Sequence, residues 1–242
     1  MHKKGIDTIF TVSGGGSIVL CDAMQDHPDV KYICCHHEQA VAFAAEGYAR
    51  SKNTFGVGIV TTGPGGTNCI TGVSSAWIDS VPVIFISGQV FASQTIQETG
   101  TRQIGVQEIN IVDLVEKNTK WSTMMTNAKD VKVTLEKAYF IATSGRPGPV
   151  WIDIPADIQG VEINPTDLEG YKHKDNYTGF IDNTDKIKLL VENLVKSKRP
   201  IIHIGQGVKI SKSIEVIKQY IEKHKIPVST TWNATDMISS DN

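Results

Sequence analysis

Short apolar runs alternate with longer helix-like segments along this chain, and this order limits the folds that it can adopt. Runs rich in Val, Ile and Phe predict strands, and the longer segments between them predict crossover helices. The pattern is typical of an α/β fold, in which a parallel sheet carries helices on both faces. It predicts strands at 8–12, 31–35, 56–61, 83–87, 121–124 and 149–154, with helices at 18–25, 38–51, 66–78, 109–115 and 128–143.

The same pattern predicts one complete domain over residues 1–159, followed by a linker and a second unit. The linker, 160–183, is polar and irregular, and it contains Pro165 and Gly170. The second unit, 184–242, predicts a helix at 185–196, a strand at 200–204, a helix at 211–224 and a strand at 227–231. A Rossmann-like βαβ unit of about 60 residues buries little apolar surface by itself. We therefore expect an incomplete second α/β domain and a chain that is the N-terminal fragment of a longer protein.

Composition excludes several classes of partner. Lys and Arg number 24 against 26 Asp and Glu, so the net charge of -2 gives no reason to expect a nucleic acid or an anionic membrane. The longest apolar stretches, such as 81–87, are too short to span a bilayer, and no membrane is expected. The four cysteines form no CxxC pair and lie in apolar runs, which predicts free, buried thiols and a cytoplasmic location.

Glu38 is the first candidate for chemistry. Residues 36–40, with the sequence HHEQA, follow a predicted strand and begin a helix rich in small residues. A carboxylate at a helix start could act in catalysis, but it is also the ordinary stabilising arrangement with the helix dipole. His36 and His37 are adjacent and point in different directions, and metal-ligand spacings are absent, so we predict no metal site in this chain.

Three glycine-containing turns are the other candidates, and each follows a predicted strand. They are SGGGS at 13–17, TTGPGGTN at 61–68 and SGQV at 87–90. The carboxyl ends of parallel strands meet at one edge of a sheet, where open α/β sheets bind ligands. The second turn lacks both the Lys of a phosphate-binding loop and the spacing of a dinucleotide fingerprint. Each turn could be only a tight connection, but together with HHEQA they predict four loops on one rim.

Taken in order, these segments resemble the pyrimidine-binding domain of thiamine-diphosphate-dependent enzymes of the acetolactate synthase type. The resemblance covers residues 6–157 and includes EGYAR at 46–50 and DSVPVIFISGQV at 79–90. Residues 199–208 and 226–228 are similar to the opening of that family's central domain. The resemblance therefore implies a pyrimidine-binding domain at 1–159 and a partial central domain at 184–242.

The resemblance also implies a role for individual residues. Glu38 would hydrogen-bond the ring nitrogen N1′ of the cofactor's aminopyrimidine, because a carboxyl can share a proton with a weakly basic nitrogen. Gln89 would face the reacting carbon as a second catalytic residue, although it could equally be a solvated loop residue. The implied cofactor-binding residues, besides Glu38, are Gly15, Gly16, Pro64, Gly65 and Asn68.

An activity and a set of partners follow from the resemblance. It implies a transferase or lyase that acts on a 2-oxo acid such as pyruvate, with a possible place in branched-chain amino-acid biosynthesis and FAD as a possible further cofactor. In that family, a Gly-Asp-Gly motif of a third domain holds Mg²⁺ and the diphosphate, and the active site lies between two subunits. No Gly-Asp-Gly occurs in these 242 residues. We therefore expect a second subunit to supply the diphosphate side, in a homodimer or tetramer, and we expect the chain alone to be inactive and to bind thiamine diphosphate poorly.

Departures from the family pattern leave the acceptor substrate open. Val106 stands where relatives of the acetolactate synthase type have a Phe, and Arg102 adds a cation that could pair an acidic substrate group or lie at the surface near Glu98. These features look more like the acetolactate synthase-like proteins of sugar and surface-polysaccharide pathways. Two alternatives stay open: a non-catalytic pyrimidine-binding subunit completed by a separate diphosphate-binding partner, and a structural relative in which Glu38 only begins a helix.

Overall fold

A computed structural model of the protein describes residues 2–97, 99–173 and 183–239, which form two compact units, Met1–His173 and Lys174–Asn242. The strands are β1 Thr8–Thr11, β2 Lys31–Cys34, β3 Gly56–Val60, β4 Val83–Gln89, β5 Trp121–Met124, β6 Val150–Pro155, β7 Ile202–Ile204 and β8 Val228–Thr230. The α-helices are α1 Ile18–Gln25, α2 Glu38–Lys52, α3 Pro64–Asn68, α4 Ile70–Ile78, α5 Ile111–Val115, α6 Val131–Thr143, α7 Ala156–Gln159, α8 Thr184–Lys196, α9 Gly207–Ile210 and α10 Ile214–His224.

The first unit contains a six-stranded sheet in the order β2-β1-β3-β4-β6-β5. Every strand pair is parallel, so the carboxyl ends of all six strands lie along one edge. Each parallel neighbour needs a crossover connection, and the helices between the strands provide it. The predicted α/β class is confirmed.

Two apolar cores cover the two faces of this sheet. Along β4, Phe85 belongs to a core that includes residues of α2 and α4, whereas Ile84 and Ile86 belong to a core that includes residues of α1 and α6. β6 alternates in the same way, with Trp151 on the first face and Ile152 on the second. Since side chains along a strand point to opposite faces in turn, the alternation places helices on both sides, as predicted.

Several predicted helices differ from the observed ones, and those predicted at 128–143 and 211–224 begin only at Val131 and Ile214. The helix predicted at 66–78 consists of α3 and α4, and it begins earlier because Pro64, at the first helical position, has a φ suited to a helix start. The helix predicted at 109–115 begins only at Ile111, because the Asn110 side chain caps it and accepts a hydrogen bond from the Asp113 N–H at 3.3 Å.

The cysteines are free, as predicted, but the prediction that all four are buried is confirmed only for Cys69. Cys34 is exposed, and Cys21 and Cys35 are half-buried. Cys34 lies on β2, which is an edge strand of the sheet, and all four residues of β2 are exposed. An apolar run on an edge strand therefore does not bury every side chain.

Part of the predicted linker packs onto the first unit. The Lys132 side chain of α6 donates to the Leu168 carbonyl at 3.2 Å, and the Tyr171 N–H donates to the Glu136 carboxylate at 2.7 Å. These contacts explain why the first unit extends to His173 and not only to Gln159. Residues 174–182 of the linker lie outside the described residues, and the domain limits stay a prediction.

The second unit has the predicted βαβ order. β7 and β8 are parallel, and α10, which comes between them in the chain, buries Ile221 against Ile204 of β7 and their neighbours. Across the described residues of both units, no helix is long and apolar enough to cross a membrane.

Candidate functional site

Four loops meet at the carboxyl edge of the sheet. They follow β2, β1, β3 and β4, which are neighbours in that order. The Gly16 N–H donates to the Thr61 hydroxyl at 3.1 Å, so the loop after β1 is bound to the loop after β3. The structure thus brings the predicted glycine turns and the HHEQA segment to one rim.

Glu38 is the first residue of α2 and is half-buried. The His37 ring nitrogen Nδ1 caps the helix by accepting from the Gln39 N–H at 3.1 Å. The Asn68 side chain donates through Nδ2 to Glu38 Oε2 at 2.9 Å. Among the described residues, the other oxygen, Oε1, has no hydrogen-bond partner, and Glu38 forms no salt bridge. The carboxylate therefore has one oxygen held by the protein and one left for a ligand.

The backbone of Glu38 is held as well. The Cys69 thiol donates through Sγ to the Glu38 carbonyl at 3.2 Å. Burial, and then the charge of Glu38, raise the pKa of the Cys69 thiol, so it stays protonated and remains a donor. Asn68 and Cys69 are consecutive, so a single short segment fixes both the side chain and the main chain of Glu38.

The turn after β3 approaches Glu38 through glycines. Gly63 has φ of 58°, and a Cβ there would lie 2.0 Å from the Gln107 carbonyl oxygen, so no other residue fits. Gly65 is buried, and a Cβ there would lie 2.7 Å from Thr61 Cγ2 and 3.7 Å from Glu38 Oε1. The absence of a side chain at Gly65 leaves space beside the unpaired oxygen of Glu38.

Comparison with known proteins identifies the family. The sequence model of the thiamine pyrophosphate enzyme N-terminal TPP binding domain matches residues 1–130. The chain belongs to the thiamine pyrophosphate enzyme family. The model of the central domain of thiamine pyrophosphate enzymes matches residues 187–242.

Acetolactate synthases are among the thiamine pyrophosphate enzymes to which the chain is similar. The acetolactate synthase large subunit of Lactococcus lactis is 34% identical over 234 residues, with 96% of this chain and 39% of that protein covered. The probable large subunit of Methanocaldococcus jannaschii is 38% identical over 242 residues, with 96% and 38% covered. The chloroplastic acetolactate synthase of Arabidopsis thaliana is 33% identical over 240 residues, with 96% and 34% covered. The chain thus spans less than two fifths of the length of these relatives.

The residues on the rim fit the pyrimidine half of the cofactor that gives the thiamine pyrophosphate enzyme family its name. An aminopyrimidine offers a ring nitrogen that can share a proton with a carboxyl, and Glu38 Oε1 is free for such a contact among the described residues. Pro64 and Asn68 are exposed on the same turn, and Gly15 has open space where a Cβ would be. The individual roles predicted for these residues stay predictions.

Gln89 is placed differently from the other predicted residues. It is 2% exposed, so it is not a solvated loop residue. Its Nε2 donates to Asp153 Oδ2 at 2.9 Å and to the Ile109 carbonyl at 3.0 Å, and its Oε1 accepts from the Val90 N–H at 3.0 Å and from the Thr62 hydroxyl. Its predicted contact with the reacting carbon stays a prediction.

Asp153 is a buried acid for which the sequence analysis predicted no role. Burial raises the pKa of Asp153 to about 7, and the charge of Glu108 adds to the rise, whereas hydrogen bonds from Ser87 and Gln89 oppose it. A cavity of about 210 Å³ is lined by these acids and their neighbours, among them Asp113. The available signal was one carboxylate in the otherwise apolar strand β6, VWIDIP.

The residues that mark the departure from the family pattern lie at the surface. Val106 is 83% exposed, and Arg102 is exposed as well. Glu98, the predicted neighbour of Arg102, lies outside the described residues. Within the described ranges, no group of three or more acidic, His or Cys side chains could hold a metal ion.

Proposed function

We propose that this chain forms the pyrimidine side of the cofactor site in a thiamine-diphosphate-dependent carboligase or decarboxylase of the acetolactate synthase type. The observation that carries the proposal is the Glu38 carboxylate, which has one oxygen held by Asn68 and the other beside Gly65 without a partner among the described residues. Membership in the thiamine pyrophosphate enzyme family and the similarity to acetolactate synthases support it.

Glu38 would act as the proton-sharing partner of the aminopyrimidine ring nitrogen. The fixed position of its side chain, bound by Asn68, and of its carbonyl, bound by Cys69, would keep the carboxyl oriented without reorganisation. When bound, thiamine diphosphate supplies a nucleophilic carbon that adds to the carbonyl of a 2-oxo acid and accepts the electrons left by decarboxylation. The protein's part is to hold the ring and the proton in place.

The other rim residues would shape the pocket. We assign Pro64 and Gly65 to the wall against the pyrimidine and Gly15 and Gly16 to the border of the cleft. Gln89 would act at the inner end of this cleft. Because these glycines have no side chain, the backbone can approach a flat ring closely.

A second subunit would supply the diphosphate side together with Mg²⁺, in a homodimer or tetramer. The substrate would be a 2-oxo acid such as pyruvate, and FAD would be a further ligand of the central domain. We place the protein in the cytoplasm, because four free cysteines suit a reducing compartment. The acceptor could be pyruvate, with a role in branched-chain amino-acid biosynthesis, or a sugar-derived substrate, since Val106 and Arg102 depart from the acetolactate synthase pattern.

The direct test is turnover of pyruvate by the chain combined with a polypeptide that carries the diphosphate-binding domain. We expect turnover that depends on thiamine diphosphate and Mg²⁺, and we expect Glu38→Gln to lower it about 10²–10⁴-fold, the range of a lost general acid. The matched control is Glu169→Gln, because Glu169 is an exposed acid in the segment that packs on α6. Full turnover by the Glu38→Gln variant would refute the proposal.

A further inference from the structure

A continuous path of buried hydrogen bonds runs from the core of the sheet to the turn beside Glu38. The Trp151 indole donates to Ser87 Oγ at 2.8 Å, and Ser87 Oγ donates to Asp153 Oδ1 at 2.6 Å. Gln89 Nε2 donates to Asp153 Oδ2 at 2.9 Å, and the Thr62 hydroxyl donates to Gln89 Oε1. All five side chains are buried, with exposures of 7% or less. The path therefore has little contact with bulk solvent.

Asp153, together with the Ile109 carbonyl, sets the direction of the bonds in this path. An ionised carboxylate only accepts hydrogen bonds, so Gln89 must turn its NH₂ group towards Asp153. The amide oxygen then faces the Thr62 hydroxyl and the Val90 N–H. A flipped amide would place its NH₂ group against two donors, and buried donors without acceptors are costly. The orientation of Gln89 is thus set by two acceptors together, Asp153 at 2.9 Å and the Ile109 carbonyl at 3.0 Å.

Thr62 connects this orientation to the turn. The Gly65 N–H donates to the Thr62 carbonyl at 3.2 Å, which closes the turn over Gly63. The neighbouring Thr61 accepts from Gly16, so both glycine loops of the rim depend on this pair of threonines. A change in the hydrogen bond of the Thr62 hydroxyl would therefore alter the backbone of turn 62–65, which forms part of the proposed pocket.

We propose that Asp153 is a positioning residue, which acts through Gln89 and Thr62 to hold turn 62–65 in the shape that receives the pyrimidine. This inference rests on the proposed function and extends it to a residue that lies behind the pocket. In this proposal Gln89 connects Asp153 to Thr62 by hydrogen bonds, in addition to any contact that it makes with a ligand.

The protonation of Asp153 offers a way to observe the path. Burial raises the pKa of Asp153 to about 7, and the ionisable groups that face it across the cavity are Glu108 and Asp113. Protonation would add a donor to a group that already faces donors from Ser87 and Gln89. One of these bonds must then rearrange, and we expect the rearrangement to alter the hydrogen bonds of the other residues in the path.

The test is an NMR titration of the 242-residue chain between pH 5 and 9, without any ligand. We expect the Gln89 side-chain amide, the Trp151 indole and the Gly65 backbone amide to shift with one common midpoint near 7. Asp153→Asn should abolish the transition at all three, and the difference between the two proteins isolates the contribution of Asp153. The exposed Asp22 provides the control, because Asp22→Asn should leave all three transitions unchanged.

The Thr62→Val variant tests whether the pH effect reaches Gly65 through the Thr62 hydroxyl or through a general change of the fold. It removes the hydroxyl that donates to Gln89. The NMR signals of the Gln89 amide and the Trp151 indole should therefore still shift with pH, while the signal of the Gly65 amide should not. The inference is overturned if the Gly65 amide signal still shifts with pH in Thr62→Val. It is also overturned if, in the wild type, the Gln89 amide signal shifts with pH and the Gly65 amide signal does not. It is also overturned if none of the three groups responds. Because no ligand is present, these outcomes are independent of whether Glu38 binds a pyrimidine.

Discussion

Glu38 is held by two neighbours that the sequence places thirty residues further along the chain. Asn68 binds its carboxylate at 2.9 Å and Cys69 binds its carbonyl at 3.2 Å. A carboxylate that is fixed before a ligand arrives loses little rotamer freedom on binding. The function of Glu38 should therefore depend on the amide of Asn68.

We predict that Asn68→Ala lowers pyruvate turnover about tenfold, which corresponds to roughly 1.4 kcal/mol for one hydrogen bond to a charged group. The measurement is kcat/KM in the assay that combines the chain with a diphosphate-binding partner. Gln25→Ala, which removes an exposed side-chain amide at the end of α1, serves as the control. A loss as large as that of Glu38→Gln, or no loss, would contradict a positioning role for Asn68.

Two adjacent glycines in the first loop should respond in opposite ways to the same substitution. A Cβ at Gly14 would lie 2.6 Å from two side-chain atoms of Thr61, whereas a Cβ at Gly15 would meet nothing within 4 Å. We expect Gly14→Ala to destabilise the fold by about 1–3 kcal/mol, as overpacking does, and Gly15→Ala to leave the stability nearly unchanged. Thermal unfolding of the two variants measures the difference, and equal melting temperatures would contradict the close approach of Gly14 and Thr61.

At the scale of single residues, the sequence predicted which loops form the rim, but not the buried hydrogen bonds behind it. The glycines and Glu38 belong to short motifs that follow strands, so their common location could be predicted. Asp153 and Thr62 could not be assigned a role, because their partners come from other strands and only the register of β4 against β6 pairs Ser87 with Asp153. Burial of Gln89 likewise depends on the packing of segment 108–113 over its amide.

The helices α2 and α4 are joined by a cluster of charged groups. Arg50 donates to Glu46 Oε1 at 2.6 Å and also binds Asp79, which follows α4. The Glu46 side chain is only 6% exposed, and its second oxygen is buried without a partner among the described residues. Since α2 begins at Glu38 and α4 follows Asn68, this cluster supports the relative position of both site residues.

We predict that Arg50→Ala lowers the free energy of unfolding by about 2–3 kcal/mol, because Glu46 would keep a buried charge without its cation. This value lies between the effects of breaking a surface ion pair and a fully buried one. Urea unfolding measures this change. Lys52→Ala is the comparison on the same helix, because Lys52 is exposed and lies 3.8 Å from Asp7. If the two variants were equally stable, the cluster would contribute no more than a surface ion pair.

At the scale of elements, the alternation of apolar runs predicted every strand of the sheet to within two residues. The residual differences come from local chemistry at helix starts, as Pro64 and Asn110 illustrate. The exposure of β2 could not be predicted, because the position of a strand within the sheet depends on the crossover connections and not on its own sequence.

The stability of the first unit should depend on pH through Asp153. Its pKa rises from 3.8 in a reference state to about 7 in the fold, so the folded state binds a proton that the unfolded state releases. Stability from this group is therefore fully present below about pH 4 and is lost as the pH rises to about 7.

We predict that raising the pH from 5 to 8 lowers the unfolding free energy of the wild type, relative to Asp153→Asn, by about 2–3 kcal/mol, which is roughly two pKa units. Urea unfolding at the two pH values, followed by indole fluorescence, gives the difference for each protein. The opposite sign, with the wild type gaining stability at pH 8, would show that the carboxylate is favoured in the fold.

At the scale of the whole molecule, the family was predictable because several short motifs occur in one order, and their order fixed the topology. The extent of the first unit was less predictable. Segment 160–173 is polar and rich in turn residues, yet it packs on α6 through backbone groups of Leu168 and Tyr171 that carry no sequence signal. Contacts of that kind depend on chain path and not on residue type.

The central claim is that an aminopyrimidine binds against Glu38. The most direct measurement is an amide NMR titration of the chain with 4-amino-5-hydroxymethyl-2-methylpyrimidine at millimolar concentration, because this compound carries the ring without the diphosphate. We predict shifts concentrated at Glu38, Gly65 and Gly16, and their loss in Glu38→Gln but not in Glu169→Gln. Shifts that spread elsewhere, or that persist unchanged in Glu38→Gln, would contradict the central claim.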